Sequence, residues 1–317
     1  MPDILTVGEL LIDLTQTHVD EGFVRHFAAN PGGAPANVAV AAAKLGASAG
    51  FVGKVGCDTF GADLRAVLER CGVETAGLYS TAEALTTQAV VSVAPSGERS
   101  FAFYRSPGAD TLLTEEEVAR AMGRCPKIVH FGSVSLTAEP ARSATLAAAR
   151  LGRAGGALVS YDPNYRANLW PDLETALTWM KKPLPMTDIL KISDEELPLL
   201  TDTDEPERGS ALLAELGIRL ILITLGSKGV FYRMGGSTGT IPGIRVQVAD
   251  TNGAGDTFHG ALLSRLVLRG SAPLAGLEAP ELEELLRFAN RAAALTCTRS
   301  GAIPAMPTLE EVEAFAG

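Results

Sequence analysis

The sequence predicts an α/β fold, a mainly parallel sheet with helices on both faces. Three observations carry this. Short apolar runs of strand length alternate with Ala-rich stretches of helix length. The apolar runs are continuous, as strands covered on both faces are. Glycines close the helical stretches, at Gly46 and Gly72. Strand–helix–strand alternation of this kind implies right-handed crossovers.

The elements follow in chain order. The start, MPDILTVGELLIDL, has no basic segment ahead of its apolar run and carries acids within it. It reads as a first strand and not as a signal peptide. Residues 35–45 (PANVAVAAAKL) predict a helix, 49–52 a strand and 63–71 a second helix. Further on, 128–131 is strand-like and 139–151 helical. Residues 157–161, 189–192 and 218–225 are short apolar strands. Two segments break the pattern. Residues 15–30 hold Thr, His and Phe without helical periodicity. Residues 86–104 (TTQAVVSVAPSGERSFAFY) read as a β-hairpin turning at Pro95-Ser96-Gly97. Such inserted strands form a small sheet projecting from the body. There is no internal repeat, low-complexity tract or flexible linker.

Composition narrows the function classes. In 317 residues, 46% are hydrophobic and 20% charged, which is globular and not disordered. The net charge of −10 argues against a broad basic nucleic-acid surface. No apolar stretch reaches 18 residues, so no transmembrane helix is expected. Cys57, Cys71, Cys125 and Cys297 are widely spaced, and the four histidines lack ligand spacing. A disulfide framework or a zinc site is not expected, and a reducing cytoplasm is the natural compartment.

Two glycine motifs carry chemistry. The first is DTNGAGDTFHG, residues 250–260, followed by an apolar helix. Gly253, Ala254 and Gly255 would sit where a loop enters that helix, letting backbone N–H groups approach an anion. Asp256 falls in the first helical turn. A carboxylate beside a phosphate is costly unless it accepts the proton of an attacking hydroxyl. The plainer alternative is a helix-start acid that favours the dipole. The second motif is NPGGAPAN, residues 30–37. Gly32 and Gly33 permit close backbone approach, and Asn37 offers a donor and an acceptor to a polyhydroxylated ligand. A tight turn with Pro35 opening a helix explains it equally. Neither motif is G-x-G-x-x-G, and no G-x-x-x-x-G-K-[ST] occurs, so a dinucleotide fingerprint and a P-loop both fail. Ser193 and Glu196 fit a capping box opening a helix. Thr224, Gly226 and Gly229 mark a strand end and turn, where open α/β sheets bind ligands or simply form a hairpin. Asp162-Pro163-Asn164-Tyr165-Arg166 places an arginine at the same edge of the sheet.

In this order the motifs resemble the ribokinase-like sugar kinases of the PfkB family, and within it the fructokinases. The resemblance runs from Val7 to Ala302. It is carried by GELLID (8–13), PGGAPANVAVAAAKLG (31–46), FVGKVG (51–56), FAFYRSPGAD (101–110), DPNYR (162–166), KISDEE (191–196) and the 250–260 motif. It implies a doubly wound α/β domain (residues 1–14, 31–85 and 106–317) with a β lid (15–30 and 86–105). Such lids can pair two copies into a homodimer. It implies that Asp13, Gly32, Gly33 and Asn37 bind the sugar, with Arg105 and Arg166 touching substrate or phosphate. Asp256 resembles the catalytic base, and Gly253, Ala254 and Gly255 the anion hole. Thr224, Gly226, Gly229 and Asn290 resemble the nucleotide contacts. Ser193 and Glu196 sit where the family organises magnesium and phosphate, although relatives often have Asn in place of Ser193. Many relatives also have Thr where this chain has Asn252. Asp250, Asn252, Thr296, Arg299 and Gly301 match positions that hold a monovalent cation such as K+, mainly through backbone oxygens. The cofactors implied are ATP and Mg2+.

The expected activity is ATP-dependent phosphorylation of D-fructose to fructose 6-phosphate, with no nucleic-acid or membrane partner. A kinase of 2-keto-3-deoxygluconate or another sugar is the rival within the class. A catalytically silent sugar sensor is the rival outside it, and Asp256 argues against that, since a sensor needs no base.

Overall fold

The protein is described by a computed structural model covering residues 2–93, 99–123 and 125–315. In chain order, Ile4–Val7 (β1) leads to Leu11–Val19 (β2), Arg25–Gly32 (β3), helix Ala34–Lys44 (α1), Ala49–Gly56 (β4), helix Thr59–Arg70 (α2) and Glu74–Thr81 (β5). Next come Gln88–Val93 (β6), Arg99–Tyr104 (β7), helix Glu115–Met122 (α3), Ile128–Gly132 (β8), helix Ala141–Ala154 (α4) and Leu158–Asp162 (β9). Helix Leu173–Lys181 (α5), Ile189–Ser193 (β10), helices Leu197–Thr201 (α6) and Pro206–Ala214 (α7), and Leu220–Thr224 (β11) continue the alternation. Gly229–Met234 (β12), Ser237–Pro242 (β13) and helices Ala254–Leu268 (α8), Ala279–Cys297 (α9) and Leu309–Ala314 (α10) complete it.

Nine strands form one sheet in the order β13-β12-β11-β10-β9-β8-β1-β4-β5. The pairs from β5 through β11 are parallel, and β12 and β13 add an antiparallel edge. Consecutive residues of β11 show why these strands read as unbroken apolar runs. Leu220 and Leu222 pack into one core with α1, α8 and α9. Ile221 and Ile223 pack into the other, with residues of α3, α4 and α5. Burying each such side chain favours folding by ~1.5–3 kcal/mol, so a polar residue on either face would be costly.

A second sheet has the order β3-β2-β6-β7, with β2 antiparallel to β3 and parallel to β6. It holds both segments that broke the pattern. The predicted hairpin forms between β6 and β7. Its Pro95-Ser96-Gly97 turn lies outside the described residues, as does the side chain of Phe101. The first strand differs from expectation. The 1–14 run is two strands, and the second, from Leu11, belongs to the small sheet, so that sheet begins before residue 15. Leu10, Leu11 and Ile12 are all buried, so hydropathy alone does not show the change of sheet. The expected helix at 63–71 starts four residues earlier, because Asp58 accepts from the Gly61 N–H and caps it.

Candidate active site

Two cavities meet at the N-terminus of α8. Gly253 caps that helix at φ +74°, a left-handed conformation that suits glycine, and a side chain there would press on Ala302. The first i→i−4 bond runs from the Thr257 N–H to the Gly253 carbonyl, so the N–H groups of Gly255 and Asp256 precede the ladder. Ala254 leans its N–H on the Thr251 carbonyl, at 3.3 Å. Gly253 and Asp256 line a cavity of about 110 Å³. Thr251, Ala254 and Gly255 line another of about 500 Å³. One helix start therefore serves both.

The small cavity is polar. Glu9, Asp13, Asn37, Asn164, Arg166 and Asn252 face it, with Phe103 of β7 closing one side. Asn37 Nδ2 donates to Asp256 Oδ2 at 2.8 Å, although 219 residues separate them. Asn37 Oδ1 and Glu9 Oε2 are buried without a hydrogen-bond partner, a costly state that a hydroxyl-rich ligand would relieve. Gly33 has φ +112°, and a Cβ there would strike the Glu9 carbonyl oxygen. A Cβ on Gly32 would strike Asp13 Oδ2. Both glycines thus serve close approach around the acids, and neither is merely a turn.

Burial raises the acids. Asp13 is pushed up to about 6, with Arg166 opposing and Asp256 and Asp250 reinforcing. Asp256 is also raised by burial, against the Asn37 hydrogen bond and the charges of Lys191 and Arg166. Beside them lies a pair not anticipated from sequence. Lys191 Nζ meets Asp162 Oδ2 at 2.7 Å, both nearly fully buried. Burial pulls the Lys191 ammonium down, but the carboxylates of Asp162 and Glu196 outweigh it and hold it above its usual value. Its signal was a lone lysine inside an apolar strand. Lys191 lies against Gly255, 3.1 Å from where a Cβ would stand, so its charge reaches the helix start.

The large cavity is lined by Thr224, Gly226, Gly229, Asn290, Val246, Val248 and Phe258, among others. Asn290 Nδ2 donates to the Pro242 carbonyl at 3.0 Å. Its apolar walls and polar ends suit a flat heterocycle with a polyanionic tail directed at Gly255. A third cavity, about 450 Å³, is lined by Arg166, Lys191, Ser193, Glu195 and Glu196. The capping-box bonds between Ser193 and Glu196 form. The helix they were expected to open begins only at Leu197; Glu196 also accepts from the Tyr165 N–H at 2.7 Å and ties two loops together.

Two sets of the expected site residues have their side chains engaged within the protein. Arg105 does not line the small cavity. Its guanidinium donates to Asp110 Oδ2, Thr137 Oγ1 and the Val134 carbonyl at 2.6–3.1 Å, which spends it on structure. The Arg299 side chain pairs with Glu311, and the buried Thr296 hydroxyl pairs with Thr257 and the Ala292 carbonyl. Asp250 accepts from the N–H groups of Asn252 and Gly301 at 3.1 Å each, which closes the loop that the remaining cation positions occupy. Among the described residues no cluster of three His, Cys, Asp or Glu could hold a metal, and no helix is long and apolar enough to cross a membrane.

Comparison with known proteins agrees with this geometry. The family of pfkB carbohydrate kinases matches residues 1–309. Fructokinase-1 of Oryza sativa subsp. japonica is 43% identical over 312 residues, covering 98% of this chain and 96% of its own. A fructokinase of Xylella fastidiosa, solved with bound ATP, superposes with a TM-score of 0.91 at 37% identity, covering 99% and 98%. A fructokinase double mutant of Vibrio cholerae, solved with fructose, ADP and potassium ion, gives 0.88 at 32%, with the same coverage.

Proposed function

The chain belongs to the pfkB family of carbohydrate kinases, and from that premise we propose that it transfers the γ-phosphoryl group of ATP to D-fructose, giving fructose 6-phosphate. The observation that carries the mechanism is the shared start of α8, with Asp256 on the small cavity and Gly255 on the large one. A hydroxyl in the small cavity loses its proton to Asp256 as its oxygen bonds the γ-phosphorus. The bond from that phosphorus to the bridging oxygen breaks and ADP leaves. The N–H groups at the helix start, with Lys191 behind them, face the charge on the transferred group. Bound with the phosphates, Mg2+ would be held beside Ser193 and Glu196 and would neutralise charge there. Both Glu196 carboxylate oxygens already accept backbone N–H groups, which favours contact through water. A K+ ion would rely on backbone oxygens of the 250–252 and 296–301 loops, since the Arg299 and Thr296 side chains are engaged.

The cavity's charge supports fructose over 2-keto-3-deoxygluconate. Glu9, Asp13 and Asp256 face it against Arg166, and Arg105 is committed to Asp110. A substrate carboxylate would meet three acids there and could pair only with the Arg166 guanidinium among the described lining residues. The test is an ADP-release assay across ketoses, aldoses and sugar acids. Fructose is expected to give the highest kcat/KM. A higher value for the sugar acid overturns the substrate assignment, and no turnover with any sugar overturns the kinase reading in favour of a sensor.

A further inference from the structure

We propose that Glu9 is a further substrate-binding residue that sets specificity, its carboxyl making a hydrogen bond to one hydroxyl of the bound sugar. This rests on the sugar-kinase reading above. Glu9 follows β1 and is 3% exposed, yet it lines the small cavity with Asp13, Asn37 and Asp256. One oxygen is pinned: Oε1 accepts from the Ala34 N–H at 3.0 Å, at the start of α1. The other, Oε2, is buried without a partner. The backbone is fixed as well, because Gly33 crosses against the Glu9 carbonyl with no room for a side chain. A desolvated carboxyl with one oxygen unused costs free energy that a purely structural residue would avoid. Leucine or methionine would fill the same space without that penalty. A ligand hydroxyl in the cavity supplies the missing partner.

The surroundings fit this role. Burial pushes the Glu9 carboxyl up to about 7, opposed first by its own backbone N–H and then by Arg105 and the Ala34 N–H, with the Asp110 charge adding to the rise. Near neutral pH the group exchanges between acceptor and donor, and a hydroxyl satisfies either form. An anionic substrate group satisfies only the protonated one. Glu9 thus discriminates neutral sugars from sugar acids by the chemistry of a single contact.

The experiment is a cycle between protein and substrate. Glu9→Met removes both oxygens at similar volume, and Glu9→Gln keeps an acceptor for the Ala34 N–H. Each is assayed, with melting temperature recorded, against fructose and its monodeoxy analogues, and sugar Kd is measured alongside turnover. In Glu9→Met the fructose Kd and KM are expected to rise roughly 10- to 100-fold, with kcat changed by less than about threefold. For one deoxy analogue the wild type should already show the loss and the variant add none. Glu9→Gln should fall between. A loss of equal size with every analogue, or no loss, in a folded variant overturns the proposal. If Glu9→Met does not fold, the same cycle on Glu9→Gln decides, with the same pattern expected at smaller size. Wild-type turnover of fructose is read in the same assay, so failure of the kinase reading is seen separately from failure of this contact.

Discussion

At the scale of single residues, Asp13 and Asp256 face one cavity yet should fail differently. In the proposed reaction Asp256 takes the proton of the attacking hydroxyl, a contact that matters most in the transition state. Asp256→Asn keeps an acceptor for Asn37 but cannot take that proton. It is expected to lower kcat by at least roughly 10²-fold with fructose Kd nearly unchanged; normal turnover in the folded variant would falsify the base assignment. Asp13→Asn should act mainly on KM, since in the proposed site that carboxyl holds the sugar in ground and transition states alike. Its pH signature is separate. A carboxyl raised from 3.8 to about 6 binds its proton more tightly in the folded state. Its contribution to stability is complete below pH 3.8 and is lost as pH rises through about 6. Asp13→Asn is therefore expected to melt higher than wild type at pH 8, with the difference shrinking toward pH 4. Equal melting curves at both pH values would contradict the buried-acid reading. The glycines and the helix-start acid were legible because their spacing is local. The Asn37–Asp256 bond, the Lys191–Asp162 pair and the orphaned Glu9 oxygen were not. The first two join chain segments that only the fold brings together, one of them across 219 residues, and the third depends on the packing around Glu9.

At the scale of elements, the small sheet hangs from the body by its strand ends, and Asp110 holds two of them. Thr87, just before β6, donates to Asp110 Oδ1 at 2.5 Å, and Arg105, just after β7, donates to Oδ2 at 2.8 Å. The Arg105–Asp110 pair is almost wholly buried, where removing one partner commonly costs ~3–5 kcal/mol. Asp110→Asn should lower the melting temperature and raise hydrogen exchange in β6 and β7 more than in β8 and β9. Sugar binding to the wild type should lower exchange in those same lid strands more than in the main sheet. Uniform changes across both sheets would mean that the pair stabilises the body and does not govern the lid. The sequence marked these strands by their lack of helical period and their Val, Thr and Phe content. It misplaced where β2 begins, because the buried run Leu10–Ile12 keeps its hydropathy as the chain passes from one sheet to the other.

At the scale of the whole molecule, the site lies where the parallel strands end. Glu9 follows β1, Asp162 closes β9, Ser193 closes β10 and Thr224 closes β11, with α8 starting beside them. Open α/β sheets expose unsatisfied N–H groups and loop side chains along that edge, so a site there follows from the topology. The small sheet covers one part of it through Ala89 and Phe103. The rest of that sheet is less well covered. Phe23 is 89% exposed, Val24 56%, Val19 46% and Phe27 40%, all near the turn between β2 and β3. Four exposed apolar side chains near one turn are unfavourable in water and suit burial against a partner. Pairing of two lids would bury them and, because the same strands reach the sugar cavity, would also restrain the lid over the sugar. Sedimentation equilibrium is expected to show a dimer. Phe23→Ser with Phe27→Ser should weaken it at least roughly 10-fold and raise the fructose KM, with kcat/KM then depending on protein concentration. Both side chains lie outside the cavity, so a KM effect without dissociation would point to lid motion within one chain. A monomer at every concentration would remove the lid-pairing proposal and leave the exposed side chains to another partner.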